Sequence, residues 1–178
     1  MHLPEIELAA PSTRIGIGEG RVGEAGDALR TTLGSCIGVA LVWPRKARFG
    51  LAHVLLPSSR SAASNGGPRF ADTAVEWLLQ RLRVPDDRRG EVVAYIAGGA
   101  SMFSNADSRP GVGAQNEATV RASLGTARIR LKGVDVGGTQ GRQMVVHGPL
   151  KALFVVRHEG DEPTRWDMPL AFGRDTNS

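Results

Sequence analysis

The sequence predicts a mixed α/β domain in which strands outnumber helices and pair mostly antiparallel. Three observations carry this. Two apolar runs, Ile37–Trp43 and residues 49–56, flank the turn-forming stretch Pro44-Arg45-Lys46-Ala47, the layout of a strand hairpin. Residues 143–147 and 150–157 repeat that layout around Gly148-Pro149. Between the two pairs, Ala71, Ala74, Val75, Leu78, Leu79 and Leu82 fall at i, i+3, i+4, i+7, i+8 and i+11, one face of an amphipathic helix that must end before Pro85.

The remaining elements follow in order. Residues 1–13 carry two prolines and no period, and read as an N-terminal extension. Residues 14–17 are a short strand, followed by the Cys36 and His53 strands. Residues 57–68, rich in serine, glycine and proline, form a loop beside His53, placed to act as a lid or partner contact. Asp72 falls in the first turn of the helix, where a carboxylate complements the helix dipole. Residues 92–97 form a strand leading into Gly98-Gly99. Asn116 is placed to cap a short helix through Leu124, closed by Gly125. Ile129 and Leu131 alternate with Arg128, Arg130 and Lys132, as in a half-exposed strand. No repeat or break divides residues 14–157, and residues 158–178 are a polar C-terminal tail containing Trp166.

Composition narrows the function classes. The chain has 178 residues, 41% hydrophobic and 22% charged, which suits one globular domain with a substantial core. No apolar run approaches the ~20 residues of a membrane span. The N-terminus has no basic segment followed by an apolar one, so no signal peptide is expected. The net charge is +4 and the basic residues are scattered; with aromatics at 5%, there is no stacking platform for bases. A solvated basic surface suited to an acidic protein partner is expected, and nucleic acid is not. The single cysteine excludes an internal disulfide and fits a reducing cytoplasm.

That cysteine, Cys36, opens the first strand of the first hairpin, and His53 lies near the far end of the second. Antiparallel pairing brings these ends together, so the imidazole can act as base for the thiol and is expected to lower its pKa. The same pair also fits an inert buried cysteine and an unrelated strand histidine. Gly34 and Gly38 flank the cysteine and serve either tight strand packing or close approach of a substrate chain.

The surrounding words decide between these readings. Thr32-Leu33-Gly34-Ser35-Cys36, Leu51-Ala52-His53-Val54-Leu55-Leu56-Pro57 and Arg69-Phe70-Ala71-Asp72-Thr73-Ala74-Val75 occur in that order. Ile96-Ala97-Gly98-Gly99-Ala100-Ser101-Met102-Phe103, Val112-Gly113-Ala114-Gln115-Asn116 and Asp135-Val136-Gly137-Gly138-Thr139-Gln140-Gly141-Arg142 follow. Over residues 15–156 the chain resembles the CheD family of chemotaxis proteins, which deamidate glutamines of chemoreceptors. The resemblance implies a layered, β-sandwich-like α/β domain with its sheets central and helices outside. It implies Cys36 as nucleophile, His53 as base and a threonine a few positions before the cysteine that orients the histidine; Thr31 is favoured over Thr32. Ser35, Gly34, Gly98, Gly99 and Asn116 are the implied substrate-binding residues. Each of the glycines also suits a turn, Asn116 a helix cap, and Arg142 a surface or inter-strand ion partner. Gln115 stands where many relatives carry arginine. The implied partners are methyl-accepting receptors, through their cytoplasmic helical bundle, and a CheC-type phosphatase, with an adaptor role for that phosphatase as the non-enzymatic alternative.

The chemistry needs no metal or organic cofactor. Gly18-Glu19-Gly20-Arg21-Val22-Gly23 matches dinucleotide-fingerprint spacing, but the stretch 31–43 holds no acid to receive a ribose. His2, His147 and His158 have no close-spaced ligand partners, so no zinc site is expected. His147, beside Gly148-Pro149, reads as a surface residue at a hairpin end.

Overall fold

The computed structural model describes residues 11–59, 66–101, 110–157 and 162–170. Its centre is the first hairpin. β4 (Ile37–Trp43) is buried along its whole length, which a strand achieves only when both faces of its sheet are covered. It pairs antiparallel with β5 (Arg48–Val54), with Ile37 opposite Val54 and Gly38 opposite His53. A 3₁₀ turn, Pro44–Lys46, joins them, and Ala47 closes it in the left-handed conformation.

Ten strands form two five-stranded sheets among the described residues. The first runs β2 (Gly20–Glu24), β5, β4, β6 (Val93–Gly98), β7 (Arg130–Val136). The second runs β1 (Ser12–Arg14), β3 (Ala28–Leu33), β8 (Arg142–His147), β9 (Ala152–Arg157), β10 (Thr164–Asp167). Only the β1–β3 and β6–β7 pairs are parallel, so the expected mixed, mostly antiparallel character holds. Each sheet contains one of the two expected hairpins.

The layers follow from strand alternation. Val39 and Leu41 of β4, with Ala94 and Ile96 of β6, face two helices, α1 (Ala71–Leu82) and α2 (Val112–Thr126). Ala40, Val42, Phe49, Leu51 and Tyr95 face the other sheet, where they meet Leu33, Met144, Val146, Leu153 and Val155. The order of layers is thus helices, first sheet, second sheet. α1 has the expected bounds, and all six residues of its stripe are buried. At roughly 1.5–3 kcal/mol for each large side chain removed from water, this stripe holds the helix far more firmly than its unassisted N-terminus does.

Four expectations change. Asn116 does not cap a helix: α2 begins four residues earlier at Val112 and runs past Gly125 to Thr126, leaving Asn116 fully buried in its second turn. Gly113 lets the helix start there, because a Cβ at that position would lie 2.7 Å from the Gly99 carbonyl oxygen. His147 is at the hairpin end as expected but is fully buried, and its Nδ1 accepts from Leu150 N–H at 3.2 Å. The short strand expected at 14–17 lies at Ser12–Arg14, beside β3. The C-terminal segment also contributes β10, whose Trp166 ring packs 5.6 Å from Tyr95. His2, His158 and residues 60–65 of the expected loop lie outside the described residues.

Candidate active site

Cys36 immediately precedes β4, and its side chain shares the inter-sheet cluster with Leu33, Ala40 and Met144. His53 on β5 stands opposite Gly38, two residues along from Cys36. The thiol and the imidazole are therefore diagonal neighbours on one face of the sheet, with a glycine between them, a relation that places backbone positions about 7–8 Å apart. Both residues are buried, at 7% and 2% exposure.

The third member comes from the other sheet. Thr31 on β3 is buried, and its Oγ1 lies 2.7 Å from His53 Nδ1 and 2.9 Å from the Ile15 carbonyl oxygen. A hydroxyl has one proton to give, and Ile15 receives it. Oγ1 must then accept from His53 Nδ1–H, which fixes the neutral tautomer and leaves the Nε2 lone pair as the base. Nε2 is buried and has no hydrogen-bond partner. Thr32, the alternative threonine, is exposed, because successive strand residues point to opposite faces.

The electrostatics differ from the sequence expectation. Burial pushes the Cys36 thiol up and the His53 imidazolium down. No hydrogen bond joins Sγ to Nε2, so the lowered thiol pKa expected from histidine pairing is not what this geometry yields. The resting pair is a neutral thiol beside a neutral imidazole.

Backbone hydrogen bonds hold the Cys36 segment. Gly99 N–H donates to the Cys36 carbonyl and Ala100 N–H to the Gly34 carbonyl, each at 2.8 Å. Gly98 adopts φ +107°, and a Cβ there would fall 2.2 Å from the Cys36 carbonyl oxygen, so only glycine permits this approach. Gly137 N–H in turn donates to Gly98, and Ser101 N–H to Gly138. Among the described residues, the resulting cleft, about 370 Å³, is lined by Ser35, residues 99–101 and 111–114, and Gly137-Gly138, none of them charged; Ser35 brings it next to Cys36, while Cys36 and His53 themselves do not line it.

The expected substrate-binding residues thus divide. Ser35 and Gly99 line the cleft, while Gly34 and Gly98 support its wall from behind. Asn116 does not line it: its Nδ2 donates to the Leu55 carbonyl at 3.0 Å, and its Oδ1 is buried without a partner. Asn116 therefore ties α2 to the residues just after His53. Met102 and Phe103, part of the matched words, lie outside the described residues.

Sequence reasoning missed Asp135. It is buried at the end of β7 and pairs with Arg142 at 2.5 Å and Arg157 at 2.8 Å, and accepts from Thr164 Oγ1 at 3.1 Å. Arg142, itself 2% exposed, also donates to the Gly137 carbonyl. An acid on a strand otherwise alternating with basic residues, seven positions before an arginine, was the available signal. The cluster braces the glycine turn that forms one wall of the cleft. Among the described residues no group of histidine, cysteine and carboxylate side chains is placed to hold a metal. No helix among them is long and apolar enough to cross a membrane.

Comparison with known proteins identifies the family. Residues 55–155 match the family described as CheD chemotactic sensory transduction. A protein of Methanococcus vannielii named "Probable chemoreceptor glutamine deamidase CheD" is 38% identical over 149 residues, 84% of this chain and 96% of that one. Proteins of the same name from Geobacillus kaustophilus and Moorella thermoacetica are 40% identical over 159 residues and 41% identical over 146. These cover 86% and 79% of this chain, and 96% and 87% of theirs. With nearly the full length of such relatives matched at this identity, the chain belongs to the CheD family.

Proposed function

We propose that this protein is a glutamine deamidase acting on the cytoplasmic helical bundle of methyl-accepting chemoreceptors, in chemotactic adaptation, with Cys36 as nucleophile, His53 as general base and Thr31 as the residue that orients it. The observation that carries this reading is the buried Thr31–His53 hydrogen bond, which leaves a desolvated, unpartnered Nε2 on the face that Cys36 shares.

In this reading Nε2 removes the thiol proton as Sγ attacks the carboxamide carbon, a contact that tightens when substrate enters. The C=O π pair moves to oxygen, and the backbone N–H of Cys36 with a neighbour after Gly34-Ser35 stabilises the oxyanion. When the intermediate collapses, the carbon–nitrogen bond breaks. The imidazolium returns its proton to the departing nitrogen, releasing ammonia and leaving a thioester. A water activated by Nε2 then attacks the thioester, and the thiol leaves as the γ-carboxylate forms. Among the described residues the cleft lining is uncharged, which suits a carboxamide.

A purely adaptor role toward a CheC-type phosphatase gives the buried His53 base and its threonine nothing to do; binding such a phosphatase alongside catalysis is compatible with this reading. The deciding experiment is mass spectrometry of a chemoreceptor cytoplasmic fragment after incubation with wild-type or Cys36→Ala protein. Conversion of specific glutamines to glutamate by the wild type alone is expected; equal conversion by both, or none by either, overturns the proposal.

A further inference from the structure

We infer that Arg21, Arg69 and Arg81, gathered around Trp77 at the β2 edge of the first sheet, recognise a carboxylate of the substrate helix about two turns from the glutamine being modified, an inference that rests on the deamidase reading for the identity of the occupant.

Among the described residues β2 is an edge strand, paired on one side only, with β5. A cavity of about 560 Å³ lies against it, with Glu19, Arg21, Pro68, Trp77 and Arg81 in its lining. Gly20 lets half-buried Trp77 and Pro68 close on the strand, since a Cβ there would fall 2.6 Å from the Trp77 ring and 3.0 Å from Pro68. The Arg81 guanidinium sits over that ring, 5.0 Å from its centroid, and Arg69 lays its stem against Gly18 beside the cavity. All three arginines are exposed, and none of them meets a carboxylate among the described residues. The acids nearby do not cancel them. Glu19 is a single charge whose carboxylate accepts from Gly16 N–H at 2.9 Å, and Glu76, next to Trp77, already pairs with Arg89 at 2.8 Å. The patch is thus cationic with an aromatic floor, a pairing that suits a carboxylate: the ring holds a guanidinium flat, and its N–H groups are left to donate.

The place of the patch says whose carboxylate it meets. The Glu19 carbonyl accepts from His53 N–H at 2.8 Å, and Gly18 N–H donates to the His53 carbonyl at 2.9 Å. With the strand order β2, β5, β4, β6, the residues Gly20, His53, Cys36 and Gly98 fall on or just before four successive strands at one end of the sheet. Neighbouring strands lie about 4.8 Å apart, so β2 is about 10 Å, two strand spacings, from the strand that Cys36 opens. An α-helix lying across this end covers about 10 Å in about seven residues, two turns that return to the same face. A helix whose glutamine reaches Cys36 therefore presents to the arginines the residue seven or eight positions away. Glutamines with an aspartate or glutamate at that spacing are predicted to be modified in preference to those without.

The test separates recognition from chemistry. For each glutamine modified in a purified chemoreceptor cytoplasmic fragment, KM and kcat are measured with the wild type and with a neutral variant carrying Arg21→Gln, Arg69→Gln and Arg81→Gln, with melting temperature as the control for folding. A rise in KM of about tenfold with kcat unchanged is expected, as for loss of several exposed charge pairs, and it should shrink as salt is raised. A variant with lysine at the same three positions is expected to keep most of the affinity. Neutralising the receptor carboxylate seven or eight positions from the glutamine should raise KM for the wild type and add nothing for the neutral variant. KM unchanged in the neutral variant, or modified glutamines without a carboxylate at that spacing, overturns the inference. So does an effect of the neutral variant that persists in full once the receptor carboxylate is gone, which would assign the arginines to another ligand. If the wild type modifies no glutamine, yet the Cys36→Ala protein binds the fragment by calorimetry and loses affinity with the three arginines, the deamidase reading falls and the carboxylate site stands. Neither turnover nor binding overturns both.

Discussion

Two buried polar clusters span the gap between the two sheets, and they are built on opposite terms. At the Asp135 corner, the carboxylate meets Arg142, Arg157 and Thr164, so its charge is paired and its oxygens satisfied. At the Cys36 corner, the groups are neutral, one hydrogen bond fixes the imidazole, and Nε2 is left without a partner. A buried charge is tolerated only when paired, so the first cluster is a brace that resists change. An unpartnered buried acceptor is a cost that a folded protein normally avoids, and the proposed reaction gives this one a thiol proton to take. The brace supports the glycine turn, the turn holds residues 98–101, and these hold the carbonyls of Gly34 and Cys36.

The contrast gives an ordered set of tests. The largest effect is expected from Cys36→Ala, which should reduce receptor deamidation to background while leaving the melting temperature near that of the wild type. His53→Gln is expected to lower the rate by about 10²–10⁴-fold, as for loss of a general base. Near-wild-type turnover by either variant, followed by mass spectrometry, would remove the catalytic corner from consideration.

Next comes the brace. Arg142→Leu leaves the Asp135 charge to half-exposed Arg157 and the Thr164 hydroxyl, and should destabilise the fold by about 3–5 kcal/mol, measured by urea unfolding. Removing both charges, with Asp135→Asn and Arg142→Leu together, should cost less than Arg142→Leu alone. If the double variant is instead the less stable of the two, the cluster is not held together by charge pairing.

A smaller effect is expected at Thr31. Thr31→Val keeps the shape but leaves Nδ1–H without an acceptor, a stability cost of about 1–3 kcal/mol, with a fall in kcat because the tautomer is no longer held. Thr31→Ser should restore both. Equal kcat for the valine and serine variants would show that the hydroxyl does not orient the base.

The smallest effects are those of pH. The folded-state pKa of His53 lies below its ordinary value of 6.5, so the unfolded chain binds its proton first. The stability linked to His53 is therefore complete above about pH 6.5 and declines as the solution is acidified toward the lower, folded-state pKa. His53→Gln should remove that part of the slope. Burial has the opposite consequence for Cys36, whose alkylation by iodoacetamide should rise only above the ordinary thiol range, near 9. A midpoint well below that value would mean that thiol and imidazole form an ion pair in solution, making this corner resemble the charged one.

Legibility followed the distance over which each feature is decided. The β4–β5 hairpin, the α1 stripe and the placing of Cys36 and His53 at one end of a sheet depend on nearby residues, and all three were readable. The choice of Thr31 was only half readable: strand alternation puts one of two adjacent threonines on each face, but it does not say which face is inward. Asn116 was misread because a capping propensity worth about 1 kcal/mol was outweighed by α2 packing against Gly99 and Leu55. β10 was missed because Thr164-Arg165-Trp166-Asp167 has no apolar alternation and becomes a strand only beside β9.

By itself, then, the sequence determined a mostly antiparallel α/β domain and brought a thiol and an imidazole to one end of a sheet, because hairpin register and helical periodicity act over a few residues. Only the tertiary structure decided which threonine holds the imidazole, that the thiol is pushed up rather than down, and that Asp135 and Arg142 brace the cleft. Those outcomes depend on groups from two different sheets meeting out of water. Burial and pairing across that gap set protonation and orientation, and neither is written in any local stretch of chain.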